Sequence, residues 1–198
     1  MISHKHKFIF ITPPKTGSTS ITYALLKFAD IEKVFSQSNF KYTFDYVDEF
    51  SERSKHTSIR KMMEQMKIDE YKLIGSIRNP YDRVVSMWKT SHRGKGRGDQ
   101  RDFSSWICFS GFNTKLDPLI DLFSYGGKVI VDNFIRFENF QEDFNIVCDK
   151  IGIPKQELPH KNKSKHKHYT EYYDDETRQI VAEKYAKDIE HFGYEFGE

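Results

Sequence analysis

Residues 8–20 have the sequence FIFITPPKTGSTS, in which a short apolar run leads directly into a turn of small residues. Phe8–Ile11 has the composition of a β-strand, two prolines end it, and Gly17 lets the backbone turn tightly. Apolar residues then recur at helical spacing from Ser18 to Phe28. The stretch therefore predicts a strand, a tight turn and a helix N-terminus in succession.

A turn of this kind is suited to binding a phosphate group. The first N–H groups of a helix have no partner within it, and the helix dipole adds partial positive charge there. Lys15 adds an ammonium group, and Ser18, Thr19 and Ser20 add hydroxyl donors. The Walker A pattern G-x-x-x-x-G-K-[ST] does not fit, because here the lysine precedes the only glycine. We predict a phosphate site of another kind, although the stretch alone is also compatible with a plain helix cap beside an exposed lysine.

A second stretch, YKLIGSIRNPYDRVVSMW at residues 71–88, has a similar arrangement. Leu73–Ile77 predicts a buried strand that ends at Arg78, and Pro80 suits the first turn of a following helix. Ligands of open α/β sheets bind beside the carboxyl ends of the strands, so we expect Arg78 to face the first turn. With Ser86, two turns into the helix, it would hold a second phosphate through paired hydrogen bonds.

Together these stretches resemble elements of the sulfotransferases that use 3′-phosphoadenosine-5′-phosphosulfate (PAPS). PKTGSTS at residues 14–20 resembles their 5′-phosphosulfate loop, and RNPYDR at residues 78–83, followed by Ser86, resembles their 3′-phosphate element. IRFENFQEDF at residues 135–144 and DIEHFGY at residues 188–194 resemble later elements of the carbohydrate branch. That branch includes heparan 2-O- and chondroitin-type enzymes and small bacterial members. The resemblance spans nearly the whole chain and is weakest between about residues 89 and 128.

The resemblance implies an O-sulfotransferase with PAPS as co-substrate, adenosine 3′,5′-bisphosphate as product, and no metal. It assigns to Lys15 the stabilisation of charge on the leaving phosphate. The loop at residues 159–168, PHKNKSKHKH, resembles the late loop that covers the nucleotide, although a solvated basic loop is the alternative. The nucleotide-binding residues implied are Lys15, Thr16, Gly17, Ser18, Thr19, Ser20, Arg78, Ser86, Lys163, Ser164 and Lys165.

The reaction also needs a base that accepts a proton near neutral pH, which favours histidine. Related glycan sulfotransferases carry a catalytic histidine in a Lys-His element at a similar place, so the resemblance assigns this role to His56. Asp45, Asp48 and Glu49 are the local carboxylate alternatives. A surface or helix-capping histidine is the non-catalytic interpretation.

The basic loop HRGKGRGDQR at residues 92–101 is rich in glycine, which predicts a mobile segment able to close over a substrate. Its cations suit an extended, possibly acidic, saccharide or polysaccharide acceptor, with a grip that weakens as salt rises. The identity of the acceptor and the position sulfated stay open. The acceptor-binding residues predicted are Arg93, Lys95, Arg97 and Arg101.

Composition sets further limits. The 198 residues predict a single domain, with a mobile basic loop at about residues 92–102 and a nucleotide-covering loop at about residues 159–169. A net charge of +2 gives no global field that favours nucleic acid. Two cysteines do not make a disulfide framework, and Cys148 is expected to be a small buried apolar residue. No apolar run approaches the length of a membrane span and no signal peptide is evident, so we expect a bacterial-type cytoplasmic enzyme.

The alternation of strands and helices predicts an α/β fold, a P-loop-like sandwich with a mostly parallel central sheet flanked by helices. A P-loop-like nucleotide kinase and a non-catalytic anionic-glycan-binding module are the rival interpretations, and the oligomeric state is open. His166-Lys167-His168 lacks the spacing and the cysteine of a zinc site. The predicted elements are strands Lys7–Thr12, Leu73–Ile77, Lys128–Val131 and Phe134–Arg136, and helices Ser18–Ala29, Ser58–Met66, Pro80–His92, Phe103–Phe109, Asn139–Ile151 and Asp174–Ala186.

Overall fold

The computed structural model describes residues 1–30, 68–91, 102–109, 116–159 and 167–198. The helices and strands are β1 Ile2–Ser3, β2 Phe8–Ile11, α1 Ser18–Leu25, β3 Lys72–Ile77, α2 Pro80–Ser91, α3 Phe103–Phe109, α4 Leu119–Leu122, β4 Ser124–Tyr125, β5 Lys128–Val129, β6 Asn133–Arg136, α5 Phe140–Ile151, α6 Asp175–Lys184 and α7 Ala186–Phe192. The helix predicted at 58–66 lies outside the described residues.

The central sheet has the strand order β1-β2-β3-β6. β2 pairs with β3 and β3 with β6 in parallel, whereas β1 pairs with β2 antiparallel. The register places Ile11 opposite Gly75 and Ile77 opposite Arg136, so the three parallel strands end along one edge of the sheet. The prediction of an α/β fold with a mostly parallel central sheet is confirmed.

Helices cover both faces of this sheet. β2 is therefore buried on both sides, as a central parallel strand should be. Phe8 and Phe10 pack with α1 and α5 on one face. Ile9 and Ile11 pack on the other face with α4 and with Phe192 at the end of α7. Alternate residues of one short strand thus connect the two layers of helices.

Gly75 of β3 is required by the second layer. A Cβ added there would lie 2.7 Å from the ring of Phe123, a distance at which something must shift. Phe123 is fully buried and follows α4 directly. The glycine therefore lets a large aromatic ring pack flat on the middle of the sheet.

A third apolar cluster joins α2, α3 and α6 beside the sheet. Its largest members, Trp106 and Tyr185, are fully buried, and Val84 and Val85 of α2 pack with them. This cluster fixes α2, the helix that begins just after β3, against the C-terminal helices. The position of α2 matters because it carries one side of the candidate site.

Most predicted elements are confirmed with small changes at their ends, but two differ. The strand predicted at Lys128–Val131 is shorter, and it pairs with β4 in a separate antiparallel hairpin rather than in the central sheet. The last helix predicted, Asp174–Ala186, is found as α6 and ends two residues early, and a further helix, α7, follows Tyr185 where none was predicted. Between the two helices, the hydroxyl of Tyr185 donates to the carbonyl of Leu116, 69 residues earlier.

Cys148 is buried, as predicted, and burial raises the pKa of its thiol to about 11. Cys108 is exposed. Within the described ranges, no helix is both long enough and apolar enough to cross a membrane.

Candidate active site

The candidate site lies where the three parallel strands end. β2 leads into the turn at residues 13–17, β3 leads into Arg78 and Asn79, and β6 leads into a 3₁₀ turn at Phe137–Asn139. Because parallel strands share the edge at which they end, these three segments adjoin one another. This is the edge at which open α/β sheets bind their ligands.

The turn after β2 presents a row of backbone N–H groups. Lys15 and Gly17 both have left-handed backbone conformations, with φ of 70° and 76°. The N–H groups of Thr16, Gly17, Ser18 and Thr19 have no hydrogen-bond acceptor among the described residues, and Ser20 is the first that donates backwards, to the carbonyl of Gly17 at 3.0 Å. Left-handed residues and a helix N-terminus together make a concavity that favours an anion.

The hydroxyl groups of the turn bond inward. Thr16 is fully buried, and its hydroxyl lies 3.0 Å from the carbonyl of Pro13 and 2.6 Å from the hydroxyl of Ser76 in β3. The Ser18 hydroxyl also donates to Pro13, at 3.0 Å. Ser20 is buried and Thr19 is exposed. The hydroxyls of Thr16 and Ser18 therefore shape the turn in this structure, while the backbone N–H groups line it.

Two phenylalanines pack against Gly17. A Cβ added at this residue would lie 2.8 Å from the ring of Phe140 and 3.0 Å from that of Phe137. The backbone angle and the contact with the rings both require glycine here. The rings thus bring the end of β6 against the turn.

Arg78, which is only 7% exposed, is held by its neighbours. Its Nε and Nη2 donate to the same carboxylate oxygen of Asp82, at 2.8 Å and 2.6 Å, and Nη1 donates to the carbonyl of Lys15 at 3.3 Å. The guanidinium stacks 4.0 Å from the centre of the Phe137 ring. A guanidinium carries five N–H groups, so one N–H on each terminal nitrogen has no partner within the described part of the chain.

One side of α2 brings the predicted cations together. Asp82, Ser86 and Thr90 follow one another at four-residue spacing, so they lie along one face of the helix. The Lys15 ammonium donates to the Thr90 hydroxyl, which donates to the Ser86 carbonyl at 2.8 Å. Arg78 is bound to Asp82 at the other end of this face. Ser86, which is half-buried, therefore lies between the anchors of the two cations.

A cavity of about 350 Å³ lies beside Asn79 and Asp82. One carboxylate oxygen of Glu138 accepts from the Asn79 N–H at 2.6 Å and the other from the Tyr194 hydroxyl at 3.2 Å, which ties the ends of β3 and β6 together. Burial raises the pKa of the Tyr169 hydroxyl, which therefore stays a neutral donor. The cavity is lined by Asn79, Asp82, Glu138, Lys167, His168, Tyr169 and Glu198. Lys167 and His168 are the last two residues of the late basic loop at residues 159–168, so this loop ends at the cavity.

The structure thus brings together Lys15, Thr16, Gly17, Ser18, Thr19 and Ser20 with Arg78 and Ser86. The predicted base His56 lies outside the described residues, as do Lys163, Ser164 and Lys165 of the late loop and Arg93, Lys95, Arg97 and Arg101. Sequence reasoning missed Asp82 and Thr90, although their four-residue spacing from Ser86 was visible. In the described ranges no group of three His, Cys, Asp or Glu side chains has the arrangement to hold a metal ion.

Fold and site together define an α/β protein in which two adjoining elements rich in N–H donors lie at the carboxyl edge of the sheet. The sequence matches the family model described as "Sulfotransferase family" over residues 1–195. The chain therefore belongs to the sulfotransferase family. No curated protein and no solved structure matches it.

Proposed function

We propose that this protein transfers the sulfuryl group of PAPS to a hydroxyl of a saccharide. Membership of the sulfotransferase family supports sulfuryl transfer in general. The observation that carries the finer assignment is the face of α2, on which Lys15 is bound to Thr90 and Arg78 to Asp82, with Ser86 between them. Two cations so placed suit a nucleotide with two separate phosphate groups.

The turn at residues 13–17 would bind the 5′-phosphosulfate. It offers unpaired N–H groups and the start of the α1 dipole, and Gly17 supplies the left-handed backbone that packs against Phe140. Lys15 is close enough to the same face of α2 to add its charge. These groups stabilise negative charge without a metal, as the chemistry of a leaving phosphate demands.

Arg78 would bind the 3′-phosphate. Asp82 and the Lys15 carbonyl engage three of its N–H groups and hold the guanidinium in place, leaving one N–H on each terminal nitrogen for a ligand. Two parallel N–H groups fit two oxygens of one phosphate. Ser86 and the late loop, through Lys163, Ser164 and Lys165, would complete this part of the site.

In the proposed reaction the acceptor oxygen forms a bond to sulfur while the bond from sulfur to the phosphate oxygen breaks. The electron pair of that bond stays on the leaving 5′-phosphate, where Lys15 stabilises it. The acceptor proton passes to a base, for which we propose His56. Arg93, Lys95, Arg97 and Arg101 would hold the acceptor. We also propose that the protein has a P-loop-like fold and is cytoplasmic.

Calorimetric titration with adenosine 3′,5′-bisphosphate, 5′-AMP and ATP tests the nucleotide assignment. We expect the bisphosphate to bind tightest, without magnesium. Equal affinity for 5′-AMP and the bisphosphate would contradict the two-phosphate site, and tight magnesium-dependent binding of ATP would favour a kinase.

Transfer of label from radioactive PAPS to a panel of glycans and phenols tests the acceptor. His56→Ala should retain nucleotide binding and lose about 10²–10⁴-fold in turnover, as removal of a general base does. Full turnover in this variant would move the role to Asp45, Asp48 or Glu49. Efficient transfer to phenols with none to glycans would overturn the saccharide assignment alone.

A further inference from the structure

Arg83 of α2 is a fully buried arginine directly beneath the turn at residues 13–17. Its Nε donates to the carbonyl of Pro14 at 3.1 Å, and its Nη1 donates to the carbonyl of Asp117 at 2.9 Å. The guanidinium lies 5.9 Å from the centre of the Tyr185 ring. Its Nη2 is buried and has no hydrogen-bond partner among the described residues.

A buried guanidinium by itself contributes little to the stability of a fold. Burial lowers the pKa of Arg83, although nearby Tyr185, Asp188 and Asp117 partly oppose this effect. Apolar side chains of similar size often replace buried charges without loss of stability. The buried carboxylate of Asp188 already has partners of its own, because it accepts the N–H groups of Leu119 and Ile120 at 2.8 Å and 2.9 Å. An ion pair with Asp188 therefore does not explain why an arginine is buried at this position.

The hydrogen bond to Pro14 supplies that reason. A peptide group is planar and trans, so the carbonyl of Pro14 and the N–H of Lys15 point in opposite directions. Because Arg83 holds the carbonyl inward, the N–H of Lys15 points away from the protein interior. Lys15 has a left-handed backbone, which a residue with a side chain adopts only when its surroundings enforce it.

We propose that Arg83 is a positioning residue for the phosphate turn, acting through the Pro14–Lys15 peptide group. The proposal rests on the proposed function, since it assigns the effect of Arg83 to the 5′-phosphate of the nucleotide. Arg83 contacts neither anion directly; it fixes the peptide group at which the concavity begins. Its bond to Asp117 also connects the turn to the segment that leads into α4.

The test compares three nucleotides by calorimetry: adenosine 3′,5′-bisphosphate, 3′-AMP and 5′-AMP. The ratio of the affinity for the bisphosphate to the affinity for 3′-AMP measures the contribution of the 5′-phosphate and is called the 5′-phosphate ratio. The ratio of the affinity for the bisphosphate to the affinity for 5′-AMP measures the contribution of the 3′-phosphate and is called the 3′-phosphate ratio. Neither ratio depends on the fraction of protein that is folded. A general loss of stability would therefore leave both ratios unchanged.

Arg83→Met removes the donors and the charge while keeping most of the volume. We expect the 5′-phosphate ratio to fall roughly tenfold or more, and the 3′-phosphate ratio to stay within about twofold. Arg83→Lys keeps the charge and one possible donor, and it should recover part of the loss. If Arg83→Met does not fold, Arg83→Lys carries the test, since loss of the arginine fork alone should lower the 5′-phosphate ratio.

Arg136→Met is the matched control. Arg136 also donates to a backbone carbonyl, that of Phe192 at 2.9 Å, and lies over a tyrosine ring, Tyr194 at 5.2 Å, but its partners belong to the C-terminal segment. This variant should keep both ratios. Wild-type 5′-phosphate selectivity in folded Arg83→Met or in Arg83→Lys would overturn the inference. Absence of any phosphate selectivity in the wild type would instead overturn the proposed function.

Discussion

The two candidate anion-binding elements differ in the groups that they present, since one presents backbone N–H groups and the other presents a side chain. In the turn at residues 13–17, side-chain hydroxyls bond inward to shape the backbone, and backbone N–H groups line the concavity. At the end of β3, the backbone N–H of Asn79 is bonded, and the Arg78 side chain keeps N–H groups that have no partner in the described part of the chain. The first element depends on a backbone shape, and the second depends on one guanidinium held by a carboxylate. Substitutions should therefore act on the two elements in different ways.

Lys15→Ala should have the largest effect on activity. Removing a group that stabilises charge in the transition state typically lowers turnover by about 10²–10³-fold. Affinity for adenosine 3′,5′-bisphosphate should change much less, because the N–H groups of the turn remain. Lys27→Ala, at an exposed lysine just after α1, is the control and should leave turnover unchanged. Sulfate transfer and calorimetry check both variants, and near-normal turnover in Lys15→Ala would remove the lysine from the mechanism.

Gly17→Ala should damage the backbone-built element most. The positive φ and the contact of the new Cβ with Phe140 together should lower the free energy of unfolding by about 2–4 kcal/mol and abolish nucleotide binding. Gly152→Ala is the matched control, since Gly152 has a φ of 69° but open space around the added Cβ. Denaturant unfolding should show a smaller loss there. Equal losses in the two variants would mean that the phenylalanine rings do not restrict residue 17.

Arg78→Met should affect selectivity rather than the shape of the turn. Loss of charge-assisted hydrogen bonds should weaken binding of the bisphosphate by about 1.5–3 kcal/mol, with little change for 5′-AMP. Arg178→Met removes an arginine that packs over Phe196, 5.1 Å from its ring centre, and should leave both affinities as they are. Calorimetry with the two nucleotides distinguishes the outcomes. A parallel loss of affinity for both would place Arg78 with the turn instead.

Ser18→Ala should have the smallest effect of the four. Its hydroxyl bonds to Pro13, so its removal should lower the free energy of unfolding by about 0.5–1.5 kcal/mol and change nucleotide affinity little. The exposed hydroxyl of Thr19 makes no such bond among the described residues, so Thr19→Ala should leave the free energy of unfolding unchanged. Thermal unfolding and calorimetry together provide the measurement. A tenfold loss of affinity at unchanged stability would show that the Ser18 hydroxyl binds the ligand directly, and the contrast between the elements would fail.

The sequence allowed prediction of the features that depend on local pattern. The apolar runs at Phe8–Ile11 and Leu73–Ile77 and the helices that follow them are found nearly where expected. The meeting of Arg78 with the first turn followed from one rule, that parallel strands end at a common edge. These predictions needed no knowledge of contacts between distant residues.

Long-range contacts account for what the sequence did not reveal. Tyr185, after which α7 begins, bonds to Leu116 of a distant segment, and the hydroxyl of Thr16 bonds inward to Ser76 in another strand. The strand pattern at Lys128–Val131 indicated extended backbone but not its partner, which is β4 of a separate hairpin. The role of Thr90 depends on Lys15, 75 positions away.

The long segment of chain between the paired strands β2 and β3 should affect the kinetics of folding. β2 and β3 pair across a long intervening segment, and closing such a loop costs chain entropy before the contacts that reward it can form. The two candidate elements adjoin one another only after this pairing, so a nucleotide that bridges them, as proposed, would bind late on the folding pathway. Adenosine 3′,5′-bisphosphate should therefore slow the unfolding of this protein while leaving its rate of folding nearly unchanged.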